Sequence, residues 1–314
     1  MTNLLPFTQH DQICDSSLPH GVVEHTTSWL SINPIIGCSL ECAYCFRHKW
    51  GAPDKPIVNS NVAESVDRLI SHPEFKANIT PITVNISSTD AMLPTVKATT
   101  FECMSRLDGA GYSNVFGITT KCGISEKDIS FLTSLQNLRV VVLVTYSAMP
   151  RKVEPYPARP RINGLRLLAE AGLPRILYYR PIVPGWNTDS ASIRKVLSIG
   201  RDYAQAMSMG GLRISPEIRA NIERKGLQIP NGHDEFHEKL LPSVIQRRIN
   251  GIYENLGSNV PLYKHTSCAV SYAFDLPNYN NLFEKPLKNC TRTCPVAQQR
   301  RCGTDLQREL ALGD

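Results

Sequence analysis

The sequence predicts an α/β fold, a partial (β/α)6 TIM-like barrel that carries a cysteine-rich C-terminal extension. Three observations lead there. From Trp29 onward, apolar β-branched runs alternate with stretches whose apolar residues share a helix face. Six such units follow one another before residue 216. Beyond Glu217 the rhythm stops, the chain turns polar, and four cysteines crowd between Cys268 and Cys302.

The predicted strands are residues 29–36, 82–87, 115–119, 138–145, 175–182 and 212–215. Helices are expected over 62–70, 96–110, 125–135, 162–171 and 190–207, each with the apolar spacing of a buried face. Ser125 and Asp128 form the pattern of a capping box, and Gly172 suits a helix C-terminus. The expected division is an N-terminal extension over 1–28, the barrel over 29–216 and the extension over 217–314.

At 314 residues and 42% hydrophobic, the chain can bury a substantial core. It lacks both the roughly 18 consecutive apolar residues of a membrane span and a basic start followed by an apolar run, so the expected location is the cytoplasm. Its ten cysteines then read as metal or cluster ligands rather than as a disulfide scaffold. The net charge of +6 is spread along the chain and describes a mildly basic surface more than a nucleic-acid groove.

The segment Asn33-Pro-Ile-Ile-Gly-Cys38-Ser-Leu-Glu-Cys42-Ala-Tyr-Cys45 sets three cysteines at C-x3-C-x2-C spacing behind a strand. Three thiolates on one tight loop bind three irons of a [4Fe-4S] cube and leave the fourth iron open, as catalytic metal sites do. The other reading is a zinc site, which would need His48 or a distant residue as its fourth ligand.

This motif, with Tyr44 before its third cysteine, resembles that of the radical S-adenosylmethionine superfamily. Ser87-Ser88-Thr89-Asp90 at the end of the second strand resembles the Ser/Thr-Asp motif of the spore photoproduct lyase-like branch, and Thr119-Thr120-Lys121, Thr145-Tyr146-Ser147 and Glu154-Pro155 continue the likeness. The resemblance implies S-adenosylmethionine and a [4Fe-4S] cluster as cofactors, with Tyr44, Thr89, Asp90, Lys121 and Ser147 around the former. Asp90 suits the methionyl ammonium, Lys121 the carboxylate, and Ser147 a carboxylate or hydroxyl. It also implies a flavodoxin- or ferredoxin-type electron donor and a 5′-deoxyadenosyl radical that abstracts hydrogen from substrate. Spore photoproduct lyase has a hydrogen-donating cysteine three residues before the motif aspartate; Ser87 stands there in this chain, which argues against thymine-dimer repair.

Cys268, Cys290, Cys294 and Cys302 supply four thiolates, enough for an auxiliary [4Fe-4S] cluster or a closed zinc site. Three-cysteine ligation with one open iron, or plain packing, are the further alternatives. Cys14 and Cys103 read as ordinary small residues, whereas Cys122, beside Lys121, serves either packing or the active site. The functional expectation is a radical enzyme that oxidises or rearranges a small molecule or peptide. The alternatives are a nucleic-acid-modifying or repair enzyme of the same chemistry, and a non-catalytic zinc or iron–sulfur module that binds nucleic acid through Arg247, Arg248, Arg300 and Arg301.

Overall fold

In the computed structural model, residues 21–26, 29–229, 241–278 and 293–303 are described. They build one eight-stranded sheet. Its order is β1 (Val23–His25), β2 (Leu30–Ile32), β5 (Ile82–Val84), β6 (Val115–Thr120), β7 (Arg139–Thr145), β8 (Arg175–Ile182), β9 (Ala206–Gly211) and β10 (Leu262–Tyr263). Every neighbouring pair is parallel except β1 with β2. Two short strands, β3 (Ile35–Ile36) and β4 (Ile57–Val58), pair antiparallel beside it.

Helices α1 (Val62–Ile70), α2 (Lys97–Gly109), α3 (Glu126–Ser134), α4 (Ala158–Glu170) and α5 (Ser190–Tyr203) connect the strands. Their starts follow from local chemistry: Asn61, Ser125 and Asp189 each accept a backbone N–H of the first turn, and Ser125 with Asp128 closes the expected capping box. Gly172 has φ +69° just past α4, where a left-handed residue ends the helix.

Because both faces of a parallel sheet are covered, its strands are apolar throughout. On the outer face Ile82, Val84, Phe116, Ile118, Val142, Val144 and Leu177 pack among helix residues such as Leu69, Met104, Leu165 and Leu197. On the inner face Trp29, Val115, Val141, Leu143, Ile176, Ala206 and Tyr263 enclose Ala269 and Val270 of α8 (Thr266–Ala273). Thr266 bonds the Tyr178 hydroxyl on β8, and Gln205, just before β9, bonds Ala273 O. Helix α8 therefore runs down the inner face against the strand direction and fills its lower end. The remaining helices are α6 (Pro216–Arg224), α7 (Ser243–Asn255) and α9 (Val296–Gly303).

Two expectations are corrected. The predicted strand 29–36 is split at Asn33-Pro34 into β2 and β3. The strand expected at 212–215 lies instead at Ala206–Gly211, and α5 stops at Tyr203. Met207, Met209 and two glycines carry no β-branched signal, so this strand resembles a helix tail followed by a turn. Its small residues answer to packing: a Cβ on Gly200 of α5 would stand 2.2 Å from Met207 Sδ, and one on Gly210 would stand 2.8 Å from Arg180 Nε.

A Cβ on Gly117 would meet the Trp29 indole at 2.8 Å, whereas one on Gly251 in α7 would meet nothing within 4 Å. Gly117→Ala is expected to destabilise the metal-free protein by about 1–3 kcal/mol through overpacking. Gly251→Ala should stabilise it by about 0.5–1 kcal/mol. Urea midpoints of the two variants check both signs.

Candidate active site

Gly37 opens the cysteine loop at φ +86°, and a Cβ there would lie 2.2 Å from Lys55 O and 2.8 Å from Pro53 O, so only glycine fits. The next residue, Cys38, donates its N–H to Pro53 O at 3.1 Å. Arg47, in the 3-10 turn Phe46–Trp50, ties the loop's two ends. Its Nη2 donates to Cys38 O at 3.0 Å, Nη1 to Pro53 O at 3.0 Å and Nε to Cys45 Sγ at 3.2 Å. Cys38 and Cys42 are buried and Cys45 is half-buried.

The three thiols lie near enough to influence one another's ionisation. Burial raises Cys38 against the pull of Arg47, and burial pushes Cys42 up to about 12 against Lys121. Cys38 and Cys42 are therefore protonated when free, and their ligation must release protons. Among the described residues no three His, Cys, Asp or Glu side chains converge on a point that a single ion could occupy. The His48 side chain lies outside the described residues.

Tyr44 joins this loop to the segment after β7. Its hydroxyl donates to Glu154, whose other oxygen pairs with Arg161 on α4. Glu154 is 1% and Arg161 3% exposed. The remaining guanidinium donors reach Thr145 O at 3.1 Å, Tyr156 O at 2.8 Å and Pro157 O at 3.2 Å. Ala43 N–H adds a 2.9 Å bond to Val153 O. Burial and the facing Glu154 carboxylate hold the Tyr44 phenol well above its usual range.

Asp90 occupies the centre of the strand-end loops. One oxygen accepts from Thr120 Oγ1 at 2.7 Å and Met92 N–H at 3.0 Å; the other accepts from Lys121 N–H at 2.6 Å. It was expected as a ligand of a bound ammonium, yet it also clamps the loop after β5 to the end of β6. Lys121 Nζ lies 5.7 Å from the Tyr44 ring centroid. Burial works to neutralise the amine, but Cys42, Glu154 and Asp90 outweigh it and the pKa is raised. Thr89 Oγ1 and Ser147 Oγ are buried without a hydrogen-bond partner. Two orphaned hydroxyls in the loops after β5 and β7, with Asp90 and Lys121 at the ends of β5 and β6, fit a polar, zwitterionic guest such as S-adenosylmethionine.

Cys268 and Cys294 lie near Tyr263. Burial, then the nearby Cys294 and Cys268, raise its phenol pKa. Asn278 donates to Cys268 Sγ at 3.2 Å, and Gln298 donates to Cys302 Sγ at 3.4 Å. Cys290 and Cys14 lie outside the described residues. Cys103 is fully buried on α2; Cys122 is buried between Thr120 and Asp90. Of the four arginines named for the alternative nucleic-acid reading, Arg248 bonds Thr188 O and Arg301 pairs with Asp275.

Arg47, Glu154 and Arg161 form the frame around the cysteines, and none was among the expected site residues. Asn187 is a further such residue, bonding Ser147 O at 2.6 Å and Pro181 O at 3.0 Å. Only Glu154 carried a sequence signal, the Glu-Pro pair. Arg161→Met strands the buried Glu154 carboxylate and is expected to destabilise the metal-free protein by about 3–5 kcal/mol. Combining it with Glu154→Gln should recover about 1–3 kcal/mol of that loss. A double-mutant cycle in urea tests the coupling, and strict additivity would refute it.

The chain matches no protein-family model and no curated protein sequence. Solved structures do resemble it. A substituted spore photoproduct lyase with bound AdoMet and dinucleoside spore photoproduct superposes with a TM-score of 0.56 at 12% identity, covering 75% of this chain and 76% of that one. A radical SAM methyltransferase from Sphaerobacter thermophilus gives a TM-score of 0.51 at 13% identity over 76% and 67% of the two chains. This chain therefore has the partial-barrel fold of radical S-adenosylmethionine enzymes.

Proposed function

We propose that this chain is a radical S-adenosylmethionine enzyme of the cytoplasm, with a [4Fe-4S] cluster on Cys38, Cys42 and Cys45 and the nucleoside bound among Tyr44, Thr89, Asp90, Lys121 and Ser147. The observation that carries the reading is the meeting of three thiols on one loop with Lys121, Asp90 and two orphaned hydroxyls at one end of the sheet. When bound, the reduced cluster and S-adenosylmethionine together supply a 5′-deoxyadenosyl radical for hydrogen abstraction.

The chain's own residues set the conditions for that chemistry. Lys121 keeps its proton and offers a charge to the methionyl carboxylate. Asp90, held by three bonds from the protein, is the carboxylate suited to the ammonium. Ser147 and Thr89 offer hydroxyls to the remaining polar edges. Helix α8 packs the lower inner face and keeps water from entering there.

The substrate class we favour is a small molecule or peptide, oxidised with the help of an auxiliary [4Fe-4S] cluster on Cys268, Cys290, Cys294 and Cys302. Amide donors on two of the sulfurs support this second site, since N–H···S bonds favour thiolate ligands. A flavodoxin- or ferredoxin-type protein would supply the electrons.

Anaerobically reconstituted protein with dithionite is expected to release 5′-deoxyadenosine from S-adenosylmethionine, and alanine at Cys38, Cys42 or Cys45 to abolish release. Undiminished release in those variants would sink the assignment. Lys121→Ala should keep its iron and weaken S-adenosylmethionine by about 1.5–3 kcal/mol, roughly 10- to 150-fold in Kd. Iron analysis should give about eight irons in the wild type and about four in the triple alanine variant of Cys38, Cys42 and Cys45. One equivalent of zinc in that variant would make the second site structural instead.

A further inference from the structure

Across the inner face from the cysteine loop, β8 and β9 carry a cation that the described protein does not neutralise. Ile176 and Tyr178 of β8 pack on the inner face, and Arg180, near the C-terminal end of the strand, lies over the Tyr178 ring and so faces the same side. Tyr178 stands opposite Ser208 and Tyr179 opposite Met209 before the register shifts ahead of Ile182; Gly210 of β9 nevertheless lies against the Arg180 side chain.

The guanidinium lies flat in the space that glycine leaves. A Cβ on Gly210 would stand 2.8 Å from its Nε and 3.1 Å from its Cζ, so no larger residue is accommodated without moving the arginine. Cζ sits 5.0 Å from the Tyr178 ring centroid, Nη1 donates to the Tyr178 hydroxyl at 3.2 Å, and Nη2 donates to Lys264 O. Arg180 Nε is buried and has no partner. Ser208 Oγ, fully buried one row below, has none either.

No carboxylate of the described residues pairs with Arg180, whereas the buried Arg161 is matched by Glu154 and all three nitrogens of the buried Arg47 have acceptors. A held, half-buried guanidinium with an orphaned N–H is arranged to receive two oxygens of an anion side by side.

We propose that Arg180 and Ser208 form an anion subsite at the inner mouth of the barrel, selecting substrates that carry a carboxylate or a phosphate. This rests on the inner face being the substrate chamber of the enzyme proposed above. The anion would hold one end of the substrate at β8 and β9, and direct the rest toward the side of the sheet that carries the cysteine loop.

The test is calorimetric titration of the iron-loaded, S-adenosylmethionine-saturated protein with inorganic phosphate and, separately, with succinate. At least one anion is expected to bind saturably, and which one distinguishes phosphate from carboxylate recognition. Arg180→Gln should weaken it at least tenfold, with Gly210→Ala acting in the same direction by displacing the guanidinium. Both variants should hold S-adenosylmethionine within twofold of the wild type. The proposal is overturned if neither anion binds the wild type, if both variants bind as well as it does, or if the variants lose S-adenosylmethionine instead. Binding is read without turnover, so a protein that takes the anion but releases no 5′-deoxyadenosine refutes the enzymatic reading and leaves the subsite standing.

Discussion

The buried ion pair of Glu154 and Arg161, with Tyr44 bonded to it, is the constraint on which the cysteine loop depends. Two opposite charges have been taken almost entirely out of water, which costs several kcal/mol per ion before any interaction is recovered. Recovery is nearly complete because every guanidinium donor group finds an acceptor and both carboxylate oxygens are used. A pair of this kind adds little net stability over apolar residues of the same size. Its effect is on position: Tyr44 lies between Cys42 and Cys45, so fixing its hydroxyl fixes two of the three thiols relative to the end of β7.

Arg47 does the corresponding work from the other side, bonding Cys38 O, Pro53 O and Cys45 Sγ. Gly37 makes the tight approach to Lys55 possible. The loop is thus held from the β4 side and from the β7 side, and its thiols are set before any metal arrives. Loops positioned by a rigid sheet are where chemistry concentrates in barrel folds, and here Asp90, Lys121 and Ser147 stand at successive strand ends around the same loop.

Much of this was legible in the sequence because it rests on local signals. Period and β-branching identified β6, β7 and β8; apolar spacing identified α1 and the capping box α3; C-x3-C-x2-C marked the loop without any tertiary information. What escaped notice depends on contacts distant in sequence. Arg161 reads as one more basic residue in a helix until it is seen to face Glu154. Strand β9 has methionines, a serine and glycines where a strand pattern wants branched residues, since its neighbours Gly200 and Arg180 set its shape. Strand β10 is two residues long and carries no period at all.

Asp90 illustrates how a motif residue serves structure and chemistry together. A lone carboxylate at a strand end would be solvated and mobile, a poor partner for a ligand whose orientation matters. Three donors from the loop and the next strand hold it still, and they leave acceptor capacity on a carboxylate whose direction is already fixed. Removing the charge would therefore loosen the joint between β5 and β6 as well as any contact to a guest. Lys121 is the cleaner probe of recognition, because its backbone N–H makes the structural bond to Asp90 and its ammonium is left for the ligand. That separation of backbone and side-chain roles within one residue is why Thr-Lys following a strand carries more information than either residue alone.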